Sequence, residues 1–103
     1  MNKISPEMSP EMSTNKTLLC IDDEYIICQI VQICIEDFSN WKIKIATSGQ
    51  EGLNSILTSK PDAILLDLMM PHMDGFTFFN QLQADVELAQ IPVVLLTSCT
   101  DMV

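Results

Sequence analysis

Basic side chains are scarce in this chain. Five lysines stand against fourteen acidic residues, for a formal net charge of −9. The lysines form no stripe that could track a phosphate backbone, which argues against nucleic-acid binding and in favour of a cation or a basic partner. The four cysteines, Cys20, Cys28, Cys34 and Cys99, show no CxxC spacing. Cys20 lies inside an apolar run, so the set reads as small buried hydrophobes rather than zinc ligands or bridges. Free thiols agree with a reducing cytoplasm. Long apolar runs are missing as well: the longest, Tyr25 to Ile35, is too short to span a bilayer and is flanked by Glu24, Glu36 and Asp37. With no apolar core of signal-peptide type, the expectation is a cytoplasmic protein with no membrane partner.

The chain has 103 residues, 48% of them hydrophobic, which suits one small domain and not two. Residues 1–16 hold the tandem Ser5-Pro6-Glu7-Met8 and Ser9-Pro10-Glu11-Met12, a polar, proline-punctuated composition that predicts a disordered tail. The folded part is expected over 17–103. Three short apolar runs each end in an acidic or hydroxyl residue: Thr17 to Ile21 before Asp22-Asp23-Glu24, Ala63 to Leu66 before Asp67, and Pro92 to Leu96 before Thr97. Runs of this kind predict strands buried on both faces, as in a parallel sheet.

Between them, Ile27, Ile30, Val31, Cys34 and Phe38 recur at helical spacing, with Gln29, Gln32 and Glu36 opposite and Ile26, Ile33 and Ile35 widening the apolar face. Lys42-Ile43-Lys44-Ile45 alternates, which predicts a half-exposed edge strand within 41–47. Ser48 and Glu51 form a capping box for a second helix with Leu53, Ile56 and Leu57 inward, ended by Lys60-Pro61. A loop from Leu68 to Gly75 leads to a third helix that starts near Gly75 or Phe76, with Phe76, Phe79, Leu82 and Val86 or Leu88 on its apolar side. The order βαβαβαβ implies an α/β fold with right-handed crossovers and helices on both faces of the sheet.

Ligands bind outside the carboxyl ends of strands in such sheets. Three carboxylates gathered within about 4 Å repel by roughly 4 kcal/mol per pair at an effective dielectric of about 20, so something positive must sit among them. An oxygen-seeking divalent cation such as Mg²⁺ fits Asp23 and Asp67 directly and Asp22 through water. Other residues have plainer readings. Asp22 or Asp23 suits helix N-capping, which explains one acid better than two. Glu24 suits either a cap or extra charge near the cation, and Asp74 suits the turn. His72 reads as solvated, its alternative being a soft-metal site with Met69, Met70 and Met73.

Three motifs in register, Leu18-Leu19-Cys20-Ile21-Asp22-Asp23-Glu24, Asp62 to Pro71 with Met73-Asp74-Gly75, and Ile91 to Ser98, make residues 17–103 resemble the receiver domain of two-component response regulators. The resemblance implies a flavodoxin-like doubly wound parallel sheet of strand order 2-1-3-4. It implies Asp67 as the acceptor of a phosphoryl group from a histidine kinase or phosphotransfer protein. Asp22, Asp23, Asp67 and the backbone carbonyl of Met69 would be the Mg²⁺ ligands, Thr97 the switch hydroxyl, and Ser98 the small residue beside the phosphoryl group.

It also implies a fifth strand ending in lysine and a fifth helix, whereas no lysine follows Lys60. A domain truncated at its C-terminus is therefore expected, with the strand Pro92 to Thr97 as an apolar edge open to self-association. Two alternatives stand beside the phosphorelay reading. One is a non-switching receiver acting as a docking surface or inert remnant. The other is a phosphatase with an aspartyl-phosphate intermediate, a class that wants a second aspartate where Met69 stands. The leading expectation is a phosphoacceptor module rather than a stand-alone enzyme.

Overall fold

The structure is a computed structural model that describes residues 15–70 and 75–96. Strand β1 (Thr17–Ile21) is followed by α1 (Tyr25–Phe38), β2 (Lys42–Ala46), α2 (Gly49–Thr58), β3 (Ala63–Asp67) and α3 (Gly75–Gln83). A short 3-10 turn at Leu88–Gln90 then leads into β4 (Val93–Leu96). The four strands form one sheet in the order β2-β1-β3-β4, every pair parallel. The strand order is the one that the resemblance implies, and the alternation of strands and helices is the one that the apolar runs predict.

Residues alternate between the two faces of each strand. Leu19, Ile21, Ile64 and Leu66 therefore join Ile56, Phe78 and Leu82 in one core beneath α2 and α3, while Cys20 packs with Cys28 and Ile43 beneath α1. Gly52 lets α2 close on the sheet: a Cβ there would stand 2.7 Å from Ile21 Cδ1 and 3.1 Å from Phe78 Cε1. The Ser48 hydroxyl accepts the Glu51 N–H at 3.1 Å. The Glu51 carboxylate reaches back one residue further than a capping box requires, to the Thr47 N–H at 2.7 Å.

The inward faces of the helices differ from the expected ones. Helix α1 turns Cys28, Val31 and Ile35 to the sheet and leaves Ile30, Cys34 and Phe38 exposed. Glu36 is not on a solvent face: its carboxylate accepts the Ile43 N–H at 2.9 Å, tying α1 to the start of β2. In α2 Ile56 is buried but Leu57 is exposed. In α3 it is Phe78 and Leu82 that are fully buried, with Phe79 packed alongside, while Phe76 and Val86 are exposed and Leu88 packs on the core. β2 keeps its expected alternation, with Lys42 and Lys44 outward. β4 departs from burial on both faces, since Val94 and Leu95 are exposed.

Candidate functional site

Ile21 pairs with Ala46 on one side and with Leu66 on the other, and Asp67 pairs with Leu96. This register puts Asp22, Asp23 and Asp67 at one carboxyl edge of the sheet. One oxygen from each of the three carboxylates lies within 4.8 Å of the others. The three sequence-predicted acidic residues are therefore brought together. Thr97, Ser98, His72, Met73 and Asp74 lie outside the described residues.

Backbone bonds fix the cluster. The Asp22 N–H donates to the Ala46 carbonyl at 3.1 Å, anchoring the chain as it leaves β1. Asp22 Oδ1 accepts the Glu24 N–H at 2.9 Å, a local turn that aims the carboxylate. Glu24 occupies the N-cap position of α1 without a side-chain cap bond, so its capping role is carried by its backbone alone. At β3 the Met69 N–H donates to Asp67 Oδ1 at 3.0 Å, setting the plane of that carboxylate. The Leu68 N–H donates to the Leu96 carbonyl at 3.0 Å, which ties the chain after Asp67 to the end of β4.

Asp22 is 6% exposed and is the buried charged residue among those described. Burial pushes its carboxyl above the ordinary range. The Glu24 N–H opposes this, and the negative charges of Asp67, Asp23 and Glu24 reinforce it. Beneath it the Cys28 thiol donates to the carbonyls of Cys20 and Asp22, at 3.8 Å each. Burial raises the Cys20 thiol strongly, with the Cys28 thiol and the Asp22 charge adding to it. Burial also raises the Cys28 thiol. Both remain protonated packing groups, as expected, whereas Cys34 is exposed.

Two features of the site were not foreseen from the sequence. A Cβ on Gly75 would stand 2.5 Å from both the Asp67 carbonyl oxygen and Leu68 Cα, so only glycine lets α3 begin against the segment that carries Asp67. The Gly75 N–H donates to the Leu68 carbonyl at 3.1 Å across that contact. Asp74-Gly75 was legible as a turn, but not as a close approach. Met70 is buried in the core under α2 and α3 while Met69 is exposed, so the two thioethers do not form the soft-metal set considered with His72 and Met73.

No helix among the described residues is long and apolar enough to cross a membrane. The family described as response regulator receiver domain matches residues 18–103. The DNA-binding dual master transcriptional regulator RpaA of Synechocystis sp. is 38% identical over 81 residues, which are 79% of this chain and 33% of that protein. The alkaline phosphatase synthesis transcriptional regulatory protein PhoP of Bacillus subtilis is 36% identical over 84 residues, 82% of this chain and 34% of that protein. The chain thus spans about a third of the length of these curated relatives. The solved chemotaxis response regulator CheY4 of Vibrio cholerae superposes with a TM-score of 0.77 at 29% identity, covering 84% of this chain and 72% of that one. Its fold is the flavodoxin-like one expected here, and with the acidic edge of the sheet and a family match over most of the chain, this protein belongs to the response regulator receiver domain family.

Proposed function

We propose that residues 17–103 form a phosphoacceptor module of a two-component His-to-Asp relay in the cytoplasm, with Asp67 as the nucleophile and Mg²⁺ held by Asp22, Asp23, Asp67 and the Met69 carbonyl. The observation that carries this reading is the convergence of three carboxylate oxygens within 4.8 Å at the carboxyl edge of a parallel sheet. The donor set is all hard oxygen, and one member, Asp22, is buried among like charges, so Mg²⁺ fits these residues by chemistry and by charge. Bound there, the ion would supply positive charge against the oxygens of an incoming phosphoryl group.

The chain's own groups do the rest. The Met69 N–H holds one Asp67 oxygen and fixes the carboxylate, so attack on the phosphorus of a phosphohistidine proceeds from a set direction. The N–P bond breaks, its electron pair stays on the imidazole, and the phosphoryl group passes to Asp67. Thr97, which follows Leu96 in sequence, is assigned the hydroxyl that bonds a phosphoryl oxygen afterwards. The donor is a histidine kinase or phosphotransfer protein. The module is a signalling element whose output passes through a protein target.

Intact-protein mass after incubation with acetyl phosphate tests the reading. One phosphoryl adduct is expected with Mg²⁺ present, and none with chelator or in Asp67→Asn. An adduct that persists in Asp67→Asn, or no adduct on a folded wild-type chain, removes Asp67 from this role.

A further inference from the structure

Two thiols that phosphoryl chemistry leaves unused lie directly beneath the acidic loop. Cys20 on β1 and Cys28 on α1 are both fully buried. The Cys20 thiol donates to the Cys28 sulfur. The Cys28 thiol in turn donates to the carbonyls of Cys20 and Asp22, at 3.8 Å each. The sulfurs are therefore in contact across the seam between strand and helix. The stretch of chain that joins them, residues 21–27, carries both Asp22 and Asp23. A bond between the sulfurs would close a small ring through the two acids.

The turn of α1 that ends in Cys28 is weakly held. Glu24 makes no side-chain cap bond, and the Cys28 N–H reaches the Glu24 carbonyl at 3.4 Å, longer than an ordinary backbone bond. A helix end without these supports opens locally before the rest. Opening lifts Cys28, while Cys20 stays in β1 between β2 and β3. Closed, both thiols are inert packing groups; opened, Cys28 meets solvent.

We propose that Cys20 and Cys28 form a peroxide-sensitive dithiol whose disulfide weakens Mg²⁺ binding at the acidic edge, so that phosphoryl uptake depends on redox state. The inference rests on the phosphoacceptor reading of Asp67. The Cys28 thiolate attacks one oxygen of hydrogen peroxide, the O–O bond breaks, and the departing hydroxide takes up a proton to leave as water. Cys20 gives up its proton and attacks the sulfenic sulfur of Cys28, the S–O bond breaks, and a second water leaves. Two thiols and one peroxide become one disulfide and two waters, with peroxide as the two-electron oxidant. A disulfide holds its sulfurs about 2 Å apart, closer than any thiol contact, and has no proton to donate. The Asp22 carbonyl loses the Cys28 S–H, and the short loop takes up the contraction. The carboxylates of Asp22 and Asp23 then leave the arrangement that sets them within 4.8 Å of Asp67. In a reducing cytoplasm the dithiol is the resting form and the disulfide a transient one.

The test treats the full chain with hydrogen peroxide in chelator, maps its peptides by mass, and then titrates Mg²⁺ by calorimetry after the chelator is removed. The expected result is a linked Cys20–Cys28 peptide, absent in Cys28→Ser and in Cys20→Ser. The Mg²⁺ dissociation constant should rise about tenfold on oxidation, the size of effect that follows loss of an outer contact at a metal site. Dithiothreitol should restore the affinity, which separates the disulfide from oxidised methionines. A reduced chain with no affinity for Mg²⁺ overturns the phosphoacceptor reading itself. A linked chain that binds Mg²⁺ as tightly as the reduced one overturns only this inference, as does a folded chain in which Cys20 and Cys28 stay unlinked.

Discussion

Among the described residues, ten side chains are buried in one cluster on the α2 and α3 side of the sheet, and three on the α1 side. The larger cluster is wholly apolar and contains the largest fully buried side chain, Phe78. The smaller one consists of two thiols and Ile43, has the buried Asp22 against its thiols, and leaves Ile26, Ile30 and Ile33 of its helix in solvent. One face therefore supplies most of the apolar burial that offsets chain entropy, and the other tolerates a charged group that such burial would exclude. The acidic site sits where a charge can be kept, and it is held in place from the opposite face through Gly75.

The contrast breaks most visibly at Phe78. Phe78→Ala should cost about 3 to 5 kcal/mol, since truncating a fully buried aromatic removes its transfer energy and leaves a cavity. Cys28→Ala, on the thinner face, should cost about 1 kcal/mol because a single sulfur is lost. Urea unfolding of both variants measures the ratio, and equal costs would mean that the two faces contribute alike. Gly75→Ala comes next. Its Cβ meets backbone atoms of Asp67 and Leu68 that cannot rotate away, so a loss of about 1 to 3 kcal/mol is expected. Phosphoryl uptake should fall further than stability alone explains, because the Asp67 backbone must shift. Full uptake by a folded Gly75→Ala protein would show that the site does not depend on that close approach.

What could be read from the sequence follows the same division. The strands were legible because a parallel strand covered by helices is a short apolar run, and three such runs end in Asp22, Asp67 and Thr97. The three carboxylates could be placed together from strand ends alone, because parallel register brings those ends to one edge. Helix orientation was not legible. Ile26, Ile27, Ile30, Ile33 and Ile35 leave α1 apolar nearly all round, so no stripe stands out, and the bond from Glu36 to Ile43 settles the rotation. In α3, Phe76, Phe78 and Phe79 offer overlapping faces, and Phe78 turns inward with Gly75 and Leu82 at spacings of three and four. The burial of Asp22 depends on α1 packing over it, a tertiary fact with no local signature.

The smallest expected effect concerns the charge that the thinner face retains. Burial and the neighbouring acids raise the carboxyl of Asp22 above its ordinary value of 3.8, so the folded state binds a proton there more tightly than the unfolded chain does. The stability contributed by this group is fully present below that ordinary value and is lost as pH rises through the raised one. Near neutral pH, without divalent cations, the ionised Asp22 opposes folding. Asp22→Asn keeps an oxygen to accept the Glu24 N–H and removes the charge, so it should be more stable than wild type there by about 1 kcal/mol. That advantage should vanish at pH below the ordinary carboxylate range. Mg²⁺ should raise the thermal midpoint of wild type more than that of the variant, because only wild type has the full set of repelling carboxylates to neutralise. Thermal unfolding across pH, with chelator and then with Mg²⁺, reads both differences. A variant less stable than wild type at neutral pH in chelator would mean that Asp22 stabilises the fold as an ionised acceptor, and that the thinner face holds its charge at no cost.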